Sequence, residues 1–324
     1  MSRNHPDTDT VRAALALAVH APSVHNTQPW QWRVGDTTVH LYVDEERGLH
    51  HADPDRRDLL ISCGAALHHF RVAARSFGWH TVVHRFPNPD DPRHLAALEF
   101  VPVTPTSDVV SMARAIDDRR TDRRKPTSWE VPEPFITAMI AAGVAEGAMV
   151  SDIPGGATRI RLVEAFRAAS SEHRADRGYR SELARWSGRR ADTEGVPARN
   201  AVASADPLTR EFHASTLTEA VLHDLDDHGA LLLVHTGSDD ALSRLRAGEA
   251  ASAVLLSATG FGLATCPLTE PLELPGTRAL VREDLLSDSG FPQIIIRAGW
   301  ASTSAAPVPA TPRRPLAEVV RPLE

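Results

Sequence analysis

Apolar residues recur at helical spacing along several parts of the chain. Between residues 9 and 20, Val11, Leu15, Ala18 and Val19 fall on one helical face, with Asp and Thr residues available as caps. Similar patterns predict helices over 56–77, 108–118, 133–143, 157–185, 216–227 and 241–262.

Other segments have the composition of β-strands. "WQWRV" and "VHLYV", separated by the turn-forming "GDTT", predict a hairpin. Further strands are predicted at "HTVVHRF", "LAALEFV", residues 148–152, "ALLLVH" and "PQIIIRAGW". Helices and strands do not alternate regularly, and both halves contain a helix, a strand-like segment and a second long helix. The pattern therefore predicts an α+β fold with antiparallel sheet.

Two polar stretches suggest how the chain is organised. "VPVTPTSDV", around residue 105, is rich in Pro, Thr and Ser and reads as a linker between residues 1–105 and 106–324. Residues 186–210 are polar and contain several Gly and Pro residues. Segments of this length without predicted structure are usually lids or disordered, so a lid over a binding site is one expectation here.

Composition and charge narrow the functional classes. The 324 residues carry 35 basic and 42 acidic side chains, a formal charge of −7, which disfavours general nucleic-acid binding. No apolar run approaches the ~18 residues of a membrane span, and the polar "MSRNHPDTDT" lacks a signal core. The two cysteines, Cys63 and Cys266, have no redox or metal spacing. We therefore expect a cytoplasmic protein that binds neither nucleic acid nor membrane.

Several common catalytic motifs are absent from the sequence. "GFGLAT" lies at the end of a predicted helix, which is the wrong context for a phosphate loop. There is no H-E-x-x-H, and the sixteen histidines include two adjacent pairs, which we interpret as surface or partly buried residues without metal. No G-x-S-x-G elbow indicates a serine hydrolase.

Three polar segments are the candidates for chemistry. "APSVHNTQPW" begins at residue 21 and combines hydrogen-bonding side chains with stiffening prolines; it is either a ligand-gripping loop or a self-satisfied turn. "RRTDRRKP" (119–126) suits a phosphate or an electron-rich ring, but equally a solvated helix end. "TPRRPL" (311–316) is a second phosphate candidate or a solvated tail.

Together these segments resemble signatures of the nitroreductase-like flavoprotein family. The first is similar to its "A-P-S-S-x-N-x-Q-P-W", "RRTDRR" to its "R-R-S-x-R", and "PRRPLAEVV" to its "R-K-P-L-E-E-V". "GEAASAVLLSATGFGLATCPL" resembles the family's long central helix and the loop after it. The resemblance covers about two thirds of the chain and implies the nitroreductase-like fold.

The order of the signatures departs from the family. Ordinary members carry both on one chain and form flavin sites between the two chains of a dimer. Here the Pro-Ser loop is in the first half and the arginines are in the second. The chain thus resembles a fused dimer with one complete site, like the divergent mycobacterial Acg-like nitroreductases, which implies a monomer.

The resemblance also implies residue roles. The FMN phosphate would meet Arg119, Thr121 and one or both of Arg313 and Arg314, and Arg123 would lie near the N1/O2 edge of the flavin ring. Contacts to the ribityl chain and ring would come from Pro22, Ser23, Asn26 and Gln28. A backbone N–H of Thr269 or Glu270 would meet flavin N5, although the family usually has Glu-Gly there; Val24 likewise replaces a serine.

The implied function is FMN-dependent oxidation of NAD(P)H, with a nitroaromatic or quinone-like small molecule as electron acceptor. The alternative is a flavin-binding protein whose lid covers the site, so that it sequesters FMN or senses redox state without turnover. The two functions differ in whether NAD(P)H and an acceptor can reach the flavin ring.

Overall fold

The computed structural model describes residues 5–189, 193–219 and 229–323. Its helices are α1 (Thr8–Ala18), α2 (Arg57–Ser76), α3 (Ser107–Asp118), α4 (Glu133–Val144), α5 (Ala157–Ala175), α6 (Arg177–Arg185), α7 (Ala241–Gly260), α8 (Pro275–Leu286) and α9 (Leu316–Val319). Its strands are β1 (Trp30–Val34), β2 (Val39–Val43), β3 (Trp79–Arg85), β4 (His94–Pro102), β5 (Met149–Asp152), β6 (Ser187–Arg189), β7 (Val196–Pro197), β8 (Ala230–Thr236), β9 (Ala264–Leu268), β10 (Phe291–Gly299) and β11 (Val320–Pro322). In the described residues no helix is long and apolar enough to cross a membrane.

The strands form two main sheets and one small pair. The first sheet has the order β11-β1-β2-β4-β3, and the second has the order β5-β8-β10-β9. All neighbours in these two sheets are antiparallel except β11, which lies parallel to β1 with Trp32 opposite Val320. The chain thus returns from its second half to complete the sheet of its first half.

Two long helices, α2 and α7, pack against each other at the centre of the molecule. Both are buried over most of their length because they are rich in small and apolar residues. They cross at Gly64 and Gly248, where a Cβ on either glycine would lie 2.0 Å from a carbonyl oxygen of the other helix. The absence of both side chains is therefore what permits this close approach.

The sequence predicted this architecture well. The α+β class with mainly antiparallel sheets is confirmed. The predicted hairpin is formed by β1 and β2, and the predicted helices over 9–20, 56–77, 108–118, 133–143 and 241–262 correspond to α1, α2, α3, α4 and α7. The division into residues 1–105 and 106–324 stays a prediction; β11 belongs to the sheet of the first part although it lies in the second.

Some element predictions were wrong. The helix predicted over 157–185 is interrupted at Asp176, whose extended backbone ends α5 and whose side chain accepts a hydrogen bond from the Gly178 N–H to begin α6. In the helix predicted over 216–227, residues 216–219 are not helical and the rest lies outside the described residues. Helix α8 and strand β9 were missed.

Candidate functional site

The loop after α1 has an unusual backbone. His25, Asn26 and Gln28 all have positive φ, between 45° and 55°, although none is glycine. Such left-handed residues cost free energy, and they persist where surrounding contacts fix them, commonly in functional sites. Here the Ser23 hydroxyl accepts a hydrogen bond from the Gln28 N–H at 3.0 Å and closes the loop on itself.

Two amides of this loop join it to two distant segments. The Asn26 Nδ2 donates to the carbonyls of Gly195, at 2.9 Å, and Pro312, at 3.1 Å. The Gln28 Nε2 donates to the Thr193 carbonyl at 2.8 Å, and its Oε1 accepts from the Arg314 N–H at 2.8 Å. The loop, the predicted lid and the C-terminal segment therefore form one unit. The proposed contacts of Asn26 and Gln28 with a cofactor remain predictions, and in this structure both amides bind protein.

Two arginines lie beside this loop: Arg119 is buried, Arg313 is partly buried, and the Nε atom of each is buried. Arg119 caps the C-terminus of α3, and its Nη1 donates a long hydrogen bond, 3.4 Å, to the Thr121 hydroxyl. Arg313 donates to the Asn26 Oδ1 and to the carbonyls of His20 and Ala21. Neither guanidinium forms an ion pair with a carboxylate among the described residues, and both Nε atoms are buried without a hydrogen-bond partner.

The electrostatics of the pair are those of an anion site. Burial, together with the charges of Arg120 and Arg123, lowers the pKa of Arg119 to about 10. Burial, together with the charges of Arg119 and Arg120, lowers the pKa of Arg313 to about 9. Buried cations that repel one another need a counterion, and a phosphate supplies both charge and acceptors.

One neighbour of this pair was misjudged from the sequence. His69 is completely buried, and neither ring nitrogen has a hydrogen-bond partner in the described residues. Burial first, and then the charge of Arg119, holds its pKa well below the usual value. His68 is buried as well, so the expectation of surface or partly buried histidines was wrong for this pair. The sequence signal that could have indicated this burial was the run of small and apolar residues around both histidines in α2.

Arg314 follows Arg313 in the chain and contacts the loop at Gln28. Its guanidinium is 3.5 Å from an Asp44 carboxylate oxygen and 3.6 Å from one of Glu318. It therefore has carboxylate partners that Arg313 lacks. Of the two arginines predicted for the phosphate, Arg313 is the one whose surroundings leave a charge to be neutralised.

A cavity lies between α2, α7 and the loop after β9, and neither Arg119 nor Arg313 is among its lining residues. It is lined by Pro22, Ser23, Val24, His25, Asp58, Ile61, Ser62, Ala65, Arg123, Phe166, Leu208, Thr209, Arg210, Phe212, Ala251, Leu255, Cys266, Pro267, Leu268, Thr269, Glu270 and Ile294. It brings together five residues that the sequence predicted for the flavin site, Pro22, Ser23, Arg123, Thr269 and Glu270. The wall is mostly apolar with a few polar groups, as small-molecule sites are.

Arg123 is the cation of this cavity that has no carboxylate partner in the described residues. Its guanidinium carbon lies 4.8 Å from the centre of the Phe212 ring, and Nη1 donates to the Asn200 carbonyl at 2.9 Å. Burial lowers its pKa. A positive charge without a carboxylate partner on the cavity wall can stabilise negative charge on a bound ring.

The side chains of Thr269 and Glu270 bind protein groups. The Thr269 hydroxyl donates to the Glu273 carboxylate at 2.6 Å, and the Glu270 carboxylate lies 3.4 Å from the His173 ring. These contacts fix the loop after β9 along the cavity, which is what a backbone contact to a ligand requires. The contact between their N–H groups and flavin N5 stays a prediction.

The described part of the predicted lid forms one wall of the cavity, and the wall continues beyond residue 210. Phe212 packs edge-on against His25, with ring centres 5.6 Å apart. Arg210 binds the Glu273 carboxylate through both terminal nitrogens and also contacts Tyr179. The buried contact between Arg210 and Glu273 holds the segment against the loop after β9. The sequence gave no indication of this contact.

Gly64 of α2 and Gly248 of α7 hold equivalent positions where the two helices cross, so the cavity on one side of the crossing has an equivalent region on the other. Ala65, the residue after Gly64, lines the cavity, as does Leu255, about two turns beyond Gly248. The equivalent positions on the other helix, counted from its own glycine, are Glu249 in α7 and Arg71 in α2. These two side chains form an ion pair at 2.6 Å. Arg85 adds two bonds to Glu249, at 2.7 and 2.8 Å. Charged side chains thus fill the related position.

Comparison with known proteins gives a consistent family. The chain is 46% identical over 325 residues to the Mycobacterium tuberculosis protein named "Putative NAD(P)H nitroreductase Rv3131", covering 99% of this chain and 93% of the relative. It is 38% identical over 320 residues to the "Putative NAD(P)H nitroreductase acg" of the same species, covering 96% of this chain and 95% of the relative. No family model matches the chain.

Solved structures are more distant. The FMN-dependent nitroreductase NfnB from Mycobacterium smegmatis, in complex with NADPH, matches with a TM-score of 0.42 and 18% identity, over 67% of this chain and all of NfnB. A nitroreductase with bound FMN from Bacteroides fragilis matches with a TM-score of 0.38 and 15% identity, over 60% of this chain and 90% of that one. Among the described residues, no group of three or more His, Cys, Asp and Glu side chains could hold a metal ion.

Proposed function

Because this chain belongs to the family of mycobacterial Acg-like NAD(P)H nitroreductases, we propose that it is an FMN-binding oxidoreductase. It would use NAD(P)H to reduce small nitroaromatic or quinone-like acceptors. The proposal is carried by two observations: the arginines Arg119 and Arg313 have no carboxylate partner among the described residues, and a mostly apolar cavity has a further cation, Arg123, in its wall.

The residues present fit the phosphate end of FMN. Arg119 and Arg313 offer buried N–H groups without partners, and the Thr121 hydroxyl is beside Arg119. A phosphate between the two guanidiniums would satisfy these donors and offset their mutual repulsion. Hydrogen bonds to charged groups contribute ~1.5–3 kcal/mol each, so this end would supply much of the affinity.

The cavity fits the ring end. Apolar side chains such as Ile61 and Leu255 would cover a flat aromatic face, and Arg123 would stabilise negative charge that develops on its edge. When bound, FMN supplies the hydride chemistry. The chain itself binds and orients reactants and excludes water, which is consistent with the absence of an acid–base triad in the sequence motifs.

A second candidate function is supported by the lid. Arg210 and Phe212 lie against the cavity, and the segment is tied to the Asn26 and Gln28 amides at its other end. A segment fixed at both ends could keep a nicotinamide or an acceptor away from the ring. The protein would then retain FMN without rapid turnover.

A spectroscopic experiment tests both candidates. The purified chain is incubated with FMN, desalted, and examined for flavin absorbance; NADPH is then added without oxygen, followed by 1,4-benzoquinone. Retained yellow colour, bleaching by NADPH and recovery with quinone are expected for the oxidoreductase. Retained colour without bleaching would favour sequestration. Failure to retain FMN at all would contradict both functions.

A further inference from the structure

The proposed reaction needs a proton source. Reduction of a quinone by NAD(P)H transfers one hydride and consumes one further proton to give the hydroquinone. Reduction of a nitro group to a nitroso group and water likewise consumes one hydride and one proton, which together are two electrons and two protons. A buried cavity that excludes water benefits from a side chain that can donate this proton.

Several ionisable side chains on the cavity wall are poorly suited to donate it. Burial, and then the charge of Arg210, lowers the pKa of His25 to about 3, so its ring is neutral near pH 7. Burial alone would raise the pKa of Glu270, but Arg210 and His173 lower it, so this group is ionised. Burial raises the pKa of the Cys266 thiol and makes it a weaker acid.

Asp58 differs from all of these. It lies in the first turn of α2, is 2% exposed, and neither carboxyl oxygen has a hydrogen-bond partner in the described residues. The Arg57 Nη2 is 2.8 Å from Oδ1 but is not aligned for a hydrogen bond. A buried carboxyl without hydrogen bonds is unusual in a folded protein and indicates a functional demand.

The backbone around Asp58 is fixed more firmly than its carboxyl. The Asp58 N–H donates to Asp53 at 2.9 Å, and the Asp58 carbonyl accepts from the Ser62 hydroxyl at 2.6 Å. Ser62 in turn accepts from the Val24 N–H at 3.0 Å, which ties this helical turn to the loop that carries Ser23. The carboxyl is therefore held at the cavity wall with Oδ1 in an ion pair with Arg57 and with Oδ2 available.

The charges around Asp58 favour a proton-bearing acid at moderately acidic pH. Burial raises its pKa to about 6, against the opposing effect of Arg57. Glu273 and Asp55 raise it further, and Arg210 lowers it. Asp53, whose own pKa is raised by burial and by Asp58, also faces it.

We propose that Asp58 donates the proton that completes the reduction of an acceptor bound in this cavity, an inference that rests on the proposed function. The Asp58 O–H bond breaks as an O–H bond forms on the acceptor, while NAD(P)H is oxidised and supplies the hydride. Solvent returns a proton to the carboxylate before the next turnover. Asp58 is thus a catalytic acid in contact with the acceptor.

The experiment compares two acceptors in the FMN-loaded protein. Reduction of 1,4-benzoquinone needs the proton, whereas ferricyanide takes up electrons without one. In the Asp58→Asn variant, quinone turnover should fall by ~100-fold more than ferricyanide turnover with NADPH does, which is the scale of general acid catalysis. Asp58→Glu, which keeps an acid, should restore part of the quinone rate.

The pH profile gives an independent readout. Because the protonated form is the active one, wild-type kcat/KM for quinone should be level below about pH 6 and decline above it. That decline should be absent from the residual activity of Asp58→Asn.

Three results would overturn the proposal. Equal losses with both acceptors would mean that Asp58 acts on structure or on oxidation of NADPH. An unchanged quinone rate in Asp58→Asn would remove it from the reaction. A wild-type protein that reduces neither acceptor would instead refute the proposed function itself, and this inference with it.

Discussion

Gly64 and Gly248 contact each other reciprocally at the crossing of α2 and α7. A Cβ on Gly64 would lie 2.0 Å from the Leu245 carbonyl oxygen, and a Cβ on Gly248 would lie 2.0 Å from that of Ile61. Each glycine thus meets the residue three positions before the other. This exchange of roles is what a two-fold axis between two related halves produces, and it supports the interpretation of the chain as a fused dimer.

The crossing predicts a sharp sensitivity to one methyl group. Gly248→Ala should lower the free energy of unfolding by about 3 kcal/mol, since the new Cβ meets backbone that cannot move aside cheaply. Gly260→Ala is the control, because it is in the same helix and has open space around it. Urea unfolding of the two variants measures the difference. Equal stabilities would show that the helices separate easily.

The charged cluster at the related position predicts a stability effect without a binding effect. Glu249 is fully buried between Arg71 and Arg85, so Glu249→Gln should destabilise the chain by about 3 kcal/mol. FMN affinity should stay at the wild-type value because the cluster is not in the cavity. Glu99→Gln, which removes an exposed pair with His84, is the control and should change little. Loss of FMN affinity in Glu249→Gln would contradict this separation.

The arginine pair predicts opposite effects on binding and on stability. Arg119→Met removes a donor to phosphate and should weaken FMN binding about tenfold or more. It also removes a buried charge without a carboxylate partner, so the FMN-free protein should be at least as stable as the wild type. Titration calorimetry and thermal unfolding measure the two quantities, with the exposed Arg12→Met as control. A large loss of stability with unchanged binding would mean that Arg119 is purely structural.

The buried contact between Arg210 and Glu273 holds the lid to the loop after β9, so weakening it should speed the exchange of FMN. Glu273→Gln weakens the buried contact with Arg210, so the covering segment should open more often and bound FMN should dissociate faster. Glu211→Gln is a matched control in the same segment, because its pair with Arg174 is exposed and 3.6 Å apart. Stopped-flow release of FMN into excess apoprotein compares them. Identical rates for the wild type and both variants would show that the contact between Arg210 and Glu273 does not limit the release of FMN.

Much of the fold could be predicted because it follows local patterns. The helical periodicity around Leu15 and the β-rich hairpin at Trp30 and Trp32 correspond to real elements, and both tryptophans are completely buried. The interruption at Asp176 could not be predicted, because a single cap decides it. The return of β11 to the first sheet is a long-range pairing that no local pattern encodes.

The candidate site could be proposed from the sequence in its composition but not in its geometry. Motifs singled out the loop at Ser23 and the arginines at 119 and 123, and the contacts of these residues with a cofactor stay predictions. That Arg314 would have carboxylate partners while Arg313 has none depends on Asp44 and Glu318, which only folding brings near. Asp58 gave no signal, because a lone acid at the start of a helix ordinarily serves the helix dipole.

We infer that one chain builds one flavin site from both of its halves. Sedimentation velocity of the FMN-loaded protein, recorded at a flavin wavelength and at a protein wavelength, measures the bound FMN per chain and the size of the particle that carries it. We expect one FMN on a particle of 35.2 kDa, the mass of a single chain. Two FMN per chain, or flavin found solely on a particle of twice that mass, would contradict it.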